Sequence, residues 1–269
     1  MHVESRFSGQ EWSLLVAGSF RARRDPLTQK TQVRAFDQHV QRFSAGVSRF
    51  APELGGEVES FIATAAQQID DFGDGFPRLE LLAHNVTSEP QLHLSLRPLP
   101  QLTDTVTLVT VAAPVRSHSD IKGPNISLYA QMNTQYQAEC LMVENGVVTE
   151  GTTTSLLLWR RDTPHEQQQL IVMPELNRVR SVTENIIRSW ASEQLGVTVT
   201  TAIVHPEELT NYEIWCVNAL HGIRPVTSIN EVECQPANAQ LLMLARQAID
   251  TTWQNVSIEA DRTQTHSTN

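Results

Sequence analysis

The chain has 269 residues, 40% of them hydrophobic, and a formal net charge of -10 at pH 7. This length allows one large or two medium domains with substantial cores. The acidic balance argues against nucleic acid or a membrane surface as the main partner, because both favour basic patches. No apolar run approaches the ~20 residues of a membrane span. The N-terminus lacks an apolar signal core, so a cytoplasmic location is expected. Three cysteines without metal-ligand spacing predict no metal site.

The first half of the sequence predicts an α+β domain. Apolar residues recur at three- and four-residue steps from Phe36 to Phe50 and from Val58 to Ile69, which predicts two amphipathic helices. Strand-like segments bounded by prolines follow at residues 79–83, 92–96 and 105–111. We therefore expect a smaller α+β domain over residues 1–108, with Pro98-Leu99-Pro100 in its boundary region.

The second half predicts a larger, cofactor-binding domain over residues 109–269. Strand-like segments flank Glu144-Asn145-Gly146, whose Asn-Gly pair is a strong signal for a tight hairpin. Helices are expected at about 125–137, 182–194 and 237–253, and strands at 156–159, 170–173, 197–204, 213–217 and 223–226. The polar stretch 259–269 is expected to fray.

The chain contains two lysines, Lys30 and Lys122, so there are two candidates for a lysine that forms a Schiff base. Lys30 lies in a polar, turn-like stretch where a solvated lysine is the ordinary case. Lys122 precedes Glu150, which follows the predicted hairpin. A lysine amine can form a Schiff base with an aldehyde cofactor, and a carboxylate can keep a pyridine nitrogen protonated. The pair therefore indicates a pyridoxal-phosphate enzyme, although an isolated glutamate at a hairpin end is more often solvated.

Such a cofactor also needs donors for its phosphate, which helix N-termini and arginines commonly supply. Val182 and Thr183 open a predicted helix directly after Ser181, and Arg42 projects from the first helix. The alternative for Arg42 is a surface or ion-pair role. Glu184 places a negative charge one turn from the proposed phosphate, which is expected to weaken this site or to indicate a helix end that binds no anion.

Five segments resemble the class IV (fold type IV) pyridoxal-phosphate enzymes, which include branched-chain aminotransferases, D-amino acid aminotransferases and 4-amino-4-deoxychorismate lyases. In chain order they are Phe36–Phe43, Ile121–Asn125, Val143–Gly151, Ser181–Ile187 and Val217–Val226. The Asn218-Ala219-Leu220 opening of the last segment is most similar to the deoxychorismate lyases. The resemblance covers about residues 16–229. It implies a two-domain, D-amino acid aminotransferase-like α+β fold and a homodimer.

The resemblance also implies roles for individual residues. Lys122 would be the catalytic residue and carry pyridoxal 5'-phosphate. The remaining cofactor contacts would come from Arg42, Glu150, Val182, Thr183 and Ala219, and the small amino substrate would contact Asn218 and Leu220. Arg97 is a candidate for a substrate carboxylate, with an ordinary surface arginine as the alternative.

Three functions are open at this point. The first is 4-amino-4-deoxychorismate lyase, which releases pyruvate and leaves 4-aminobenzoate for folate biosynthesis; the chain length and the Asn-Ala-Leu motif favour it. The second is a class IV aminotransferase of branched-chain or D-amino acids, which needs a keto acid to complete its cycle. The third is a non-catalytic family member, because Glu184 stands where the family usually has arginine and the family's N-terminal strand motif is eroded here to Val16-Ala17-Gly18-Ser19-Phe20.

Overall fold

The computed structural model describes residues 11–87, 89–160 and 168–256. Over these ranges the chain forms five α-helices and fifteen strands. The helices are α1 (Phe36–Phe50), α2 (Gly55–Phe72), α3 (Ile126–Tyr136), α4 (Val182–Glu193) and α5 (Ala239–Asp250). The strands are β1 (Trp12–Ser19), β2 (Ala22–Arg24), β3 (Thr31–Arg34), β4 (Arg78–His84), β5 (Pro90–Ser95), β6 (Val106–Ala112), β7 (Glu139–Glu144), β8 (Val147–Gly151), β9 (Ser155–Arg160), β10 (Gln169–Val172), β11 (Thr198–Thr201), β12 (Glu213–Asn218), β13 (Gly222–Ile229), β14 (Val232–Glu233) and β15 (Trp253–Asn255).

These strands form three sheets, so the expected α+β class is confirmed. One antiparallel sheet has the order β1-β4-β5, and a second has the order β15-β3-β2. The third is nine-stranded, with the order β11-β10-β9-β12-β13-β6-β7-β8 and β14 paired to β13. Strand β6 lies between β13 and β7 and is parallel to both.

The first core lies between helices α1 and α2 and the sheet that contains β1. The apolar stripes predicted for both helices face it, with Phe43, Val47, Ile62 and Ile69 all buried. Helix α1 approaches β1 closely at Gly46, where an added Cβ would lie 2.6 Å from the nearer methyl carbon of Val16. This close contact holds α1 against the strand and fixes the directions of the polar side chains on the neighbouring turns of the helix.

The second core is built around the tryptophans of the nine-stranded sheet. The rings of Trp159 on β9 and Trp215 on β12 lie 5.1 Å apart between centroids, and Trp190 of α4 packs edge-on against Trp159. Helices α4 and α5 cover this face of the sheet. The predicted helix at 182–194 therefore owes its place to buried aromatic contacts rather than to its helix propensity.

The C-terminal end of the described chain differs from the expectation. The last helix ends at Asp250, not near Trp253, and the chain turns into β15, which pairs with β3. The ring of Trp253 contacts two guanidinium groups, with its centroid 3.9 Å from Cζ of Arg23 and 4.4 Å from Cζ of Arg34, and these cation–π contacts stabilise it outside the helix. The segment expected to fray, 259–269, lies outside the described residues. None of the described helices is long and apolar enough to cross a membrane.

Candidate active site

Lys122 lies in the loop before α3, where the chain passes over β1. The following residue, Gly123, has a φ of 152°, and a Cβ there would lie 2.7 Å from the carbonyl oxygen of Leu15. The amide of Ala17 donates a hydrogen bond of 2.7 Å to the carbonyl of Lys122. Glycine is thus required at position 123 for the loop to lie this close to the strand.

The side chain of Lys122 faces a cleft that Glu150 and Arg42 also line. Burial, helped by the nearby charge of Arg42 and opposed by that of Glu150, lowers the pKa of Lys122 to about 8. A substantial fraction of the amine is therefore neutral at pH values where an ordinary lysine is fully protonated. The neutral form is the nucleophile that reacts with an aldehyde.

Glu150 reaches the cleft because the predicted hairpin forms between β7 and β8. Asn145 and Gly146 both have positive φ, 52° and 80°, as a tight type I′ turn requires. The Glu150 side chain is buried, and Arg116 donates from Nη1 to its Oε1 at 3.3 Å and from Nη2 to Glu144 at 2.8 Å. Burial raises the pKa of Glu150 to about 8, although Arg116 opposes the shift. A cation beside this carboxyl group would favour its ionised form, and a protonated ring nitrogen would supply such a cation.

At the opposite end of the cleft the chain presents hydrogen-bond donors that lack acceptors. Arg42 donates from Nη1 to the carbonyl of Arg180 at 3.0 Å, but its Nε and Nη2 have no partner among the described residues. Burial lowers the pKa of Arg42 to about 10, so it stays cationic at neutral pH. The first turn of α4 adds the N–H groups of Val182 and Thr183, which have no partners within the helix. Buried donors without partners are costly, and a phosphate would satisfy them.

His39 also lines this end of the cleft and is buried. Burial, together with the charges of Arg42 and Lys122, lowers the pKa of His39 well below its usual value. Its ring is therefore neutral and packs against Phe20, with 5.3 Å between ring centroids.

Glu184 requires a correction to the expectation from sequence. Both oxygens of its carboxylate accept hydrogen bonds from Arg178, at 2.7 and 2.8 Å, and both side chains are buried. The negative charge on the first turn of α4 is thus neutralised within the chain and does not face the cleft unpaired. The substitution that argued against a phosphate site is compensated by an arginine six residues earlier.

A second compartment of about 200 Å³ adjoins the cleft and also opens on Lys122. Arg97 lines it, donating from Nε to the carbonyl of Phe76 at 3.0 Å, while its buried Nη2 has no partner among the described residues. The turn 218–221 also lines it and is held by Asn218, whose side-chain oxygen accepts hydrogen bonds from the amides of Leu220 and His221 at 3.1 and 2.8 Å. The compartment is therefore lined by a donor suited to a carboxylate.

The residues proposed from sequence converge on these two spaces. The cleft is lined by Lys122, Glu150, Arg42, Val182, Thr183, Asn218 and Ala219, and the adjoining compartment by Arg97 and Leu220 together with several of these. Their chemical roles stay predictions. Arg116 and Arg178 were not found from sequence, because each pairs with an acid that no periodic pattern connects to it.

The family model described as class IV amino-transferases matches residues 27–229, well over half of the sequence. The chain belongs to the class IV aminotransferase family. A search of curated protein sequences gives no match. Class IV enzymes use pyridoxal 5'-phosphate, and it is the cofactor of this chain as well.

Solved structures extend the comparison to the whole described fold. A hypothetical aminotransferase from Mycobacterium tuberculosis matches with a TM-score of 0.72 at 14% identity, over 94% of this chain and 95% of the other. A branched-chain amino acid aminotransferase from Escherichia coli matches with a TM-score of 0.70 at 16% identity, over 97% and 92%. The pyridoxal-phosphate form of the Thermobaculum terrenum branched-chain enzyme gives 0.69 at 17%, over 90% and 89%. The two-domain, D-amino acid aminotransferase-like class IV architecture is thereby confirmed.

Proposed function

We propose that this class IV enzyme is a 4-amino-4-deoxychorismate lyase. The observation that carries the proposal is the compartment beside Lys122, which is lined by both the Asn218–Leu220 turn and Arg97. The Asn-Ala-Leu turn resembles that of the deoxychorismate lyases. Arg97, with a buried nitrogen that lacks an acceptor, suits a substrate that carries a carboxylate. 4-Amino-4-deoxychorismate carries two carboxylates and the amine that Lys122 chemistry needs.

In this proposal each residue has a separate task. When bound, pyridoxal 5'-phosphate supplies an electrophilic carbon and a ring that accepts electrons. Nζ of Lys122 removes the proton from the amine-bearing carbon of the substrate and returns a proton to the departing enolpyruvyl group. Glu150, whose carboxyl group accepts a hydrogen bond from Arg116, would keep the ring nitrogen protonated. Arg42 and the N–H groups at the start of α4 would hold the phosphate.

A class IV aminotransferase is the second candidate, because the matching structures include the branched-chain enzymes of Escherichia coli and Thermobaculum terrenum. Proton removal by Lys122 is common to both reactions. The reactions differ in whether the cofactor returns to its starting form without a second substrate.

The test is turnover without a keto acid. Purified enzyme loaded with pyridoxal phosphate is given 4-amino-4-deoxychorismate, and 4-aminobenzoate and pyruvate are measured. We expect many equivalents of both products per enzyme. If the visible absorption bleaches stoichiometrically with an amino acid and returns only after 2-oxoglutarate is added, the aminotransferase replaces the lyase. A protein whose spectrum neither substrate changes would support the non-catalytic alternative.

A further inference from the structure

The loop between β10 and α4 touches both ends of the proposed cofactor site. The backbone amide of Val179 lies close enough to the Glu150 carboxyl to oppose the rise in its pKa. The carbonyl of Arg180 accepts from Arg42 at 3.0 Å, and Ser181 caps α4 by accepting the amide of Glu184 at 3.2 Å. The position of this loop therefore sets where Arg42 and the first turn of α4 present their donors.

Arg178 lies within this loop, and its buried side chain forms hydrogen bonds with both the start of the loop and helix α4. Its side chain is 2% exposed and donates from Nε to the carbonyl of Pro174 at 2.8 Å and from Nη2 to that of Met173 at 2.7 Å. Its two terminal nitrogens bind the carboxylate of Glu184 at 2.7 and 2.8 Å. The guanidinium thus connects the start of the loop to the first turn of the helix that follows it.

The Arg178–Glu184 pair is buried, whereas the neighbouring ion pair of the same loop is exposed. Arg180 and Glu175 lie 2.8 Å apart, but their side chains are 76% and 43% exposed. Exposed pairs of this kind contribute little to structure. Removing one partner of the buried pair instead leaves a charge without compensation in the interior. Only the buried pair can thus be expected to hold the loop in one arrangement.

We propose that Arg178 and Glu184 are positioning residues for the cofactor phosphate, holding the loop 174–181 so that Arg42 and the N–H groups of Val182 and Thr183 converge on one anion. This inference rests on the cofactor site proposed above. In this arrangement Glu184 does not repel the phosphate. Through its bond to Arg178, it holds the loop that positions the phosphate donors.

The test compares pyridoxal phosphate with pyridoxal, which lacks the phosphate. Dissociation constants of both are measured by absorption for wild type and Glu184→Gln, with Glu175→Gln as the matched control in the same loop. Glu184→Gln is expected to weaken pyridoxal phosphate by at least about tenfold and pyridoxal by less than about threefold, so that the ratio of the two affinities falls. The control should leave the ratio unchanged.

A double variant separates loss of positioning from unfolding caused by an unpaired buried charge. Arg178→Met with Glu184→Leu removes both charges and leaves neither unpaired, so the fold is expected to persist while the bonds to Met173 and Pro174 are lost. Its affinity ratio should fall as in Glu184→Gln. Equal weakening of both ligands, or an unchanged ratio in both variants, would overturn the positioning role. A wild-type protein that does not prefer pyridoxal phosphate over pyridoxal would overturn the phosphate site itself.

Discussion

The Glu150 end and the Arg42 end of the cleft differ in how far the protein pairs their buried polar groups. At the Glu150 end, the chain supplies its own counter-charge, since Arg116 binds the buried carboxylate and also pairs with Glu144. At the Arg42 end, two guanidinium nitrogens have no hydrogen-bond partner among the described residues, and the N–H groups of Val182 and Thr183 have none within helix α4. At one end the protein partly offsets the charge of a buried acid, and at the other it presents buried donors without partners.

This difference assigns each end a different part of the chemistry. Unsatisfied, desolvated donors gain most from a ligand that brings negative charge, so the Arg42 end contributes chiefly to affinity. A buried carboxylate already held by an arginine gains less from binding, but it controls the charge on the group that faces it. We therefore expect the Glu150 end to affect turnover and the Arg42 end to affect binding. Lys122 lines the same cleft and feels the charges of both Glu150 and Arg42, so its replacement should affect both binding and turnover.

The largest effect is expected for Lys122→Ala. Without the amine there is no nucleophile for the aldehyde and no base for the substrate proton, so turnover should fall by at least about 10³-fold. Borohydride treatment of the loaded protein, followed by peptide mass analysis, should no longer find cofactor attached to the chain.

The control is Lys30→Ala. Lys30 is 60% exposed, lies 3.5 Å from Asp70, and lines neither the cleft nor the adjoining compartment. It should leave both turnover and labelling unchanged. Cofactor attached to Lys30 in the wild-type protein would show that Lys122 was assigned wrongly.

Glu150→Gln should reduce turnover by about 10²-fold while changing the dissociation constant of pyridoxal phosphate by less than about threefold. An amide keeps the shape but cannot hold the ring nitrogen protonated. Steady-state kinetics and absorption titration separate the two quantities. Glu144→Gln, which removes the other, more exposed partner of Arg116, is the matched control, and it should retain most of the turnover. A Glu150 variant with normal turnover would place the acid elsewhere.

Arg42→Met should weaken cofactor binding and, of these three variants, have the smallest effect on turnover. Loss of its donors should weaken pyridoxal phosphate by at least about tenfold and leave the affinity for pyridoxal nearly unchanged. Saturating cofactor should restore most of the turnover. Arg49→Met, on the same helix but paired with Asp120 at 2.5 Å, is the control. If Arg42→Met lowered turnover at saturating cofactor as much as Glu150→Gln, the division of labour between the two ends would be wrong.

Much of this arrangement could be predicted from sequence because the relevant signals are local. The apolar spacing from Phe36 to Phe50 predicts α1 with the bounds that the structure has. Asn145-Gly146 predicts the hairpin that places Glu150, since few other residue pairs tolerate positive φ at both positions. The expected division of the chain at residue 108 stays a prediction.

The features that the sequence does not predict depend on contacts between segments that are far apart in the chain. Arg116 is one arginine among 18 in an irregular loop, and nothing in its neighbours indicates that it meets an acid on β8. From the sequence, Glu184 is expected to weaken the phosphate site or to indicate a helix end that binds no anion, because no pattern reveals that Arg178, six residues earlier, neutralises it. Likewise β15 follows directly on α5, and its pairing with β3 joins residues more than 200 apart.

The scarcity of lysine has a practical consequence for work with the purified protein. Aldehydes react with exposed amines on most protein surfaces and produce background colour that is unrelated to a binding site. In this chain the competing side-chain amine is Lys30, and it is held beside Asp70. Visible absorbance should therefore report the occupied fraction of the cleft almost directly, so that a spectrophotometer alone can measure how much of a preparation is loaded.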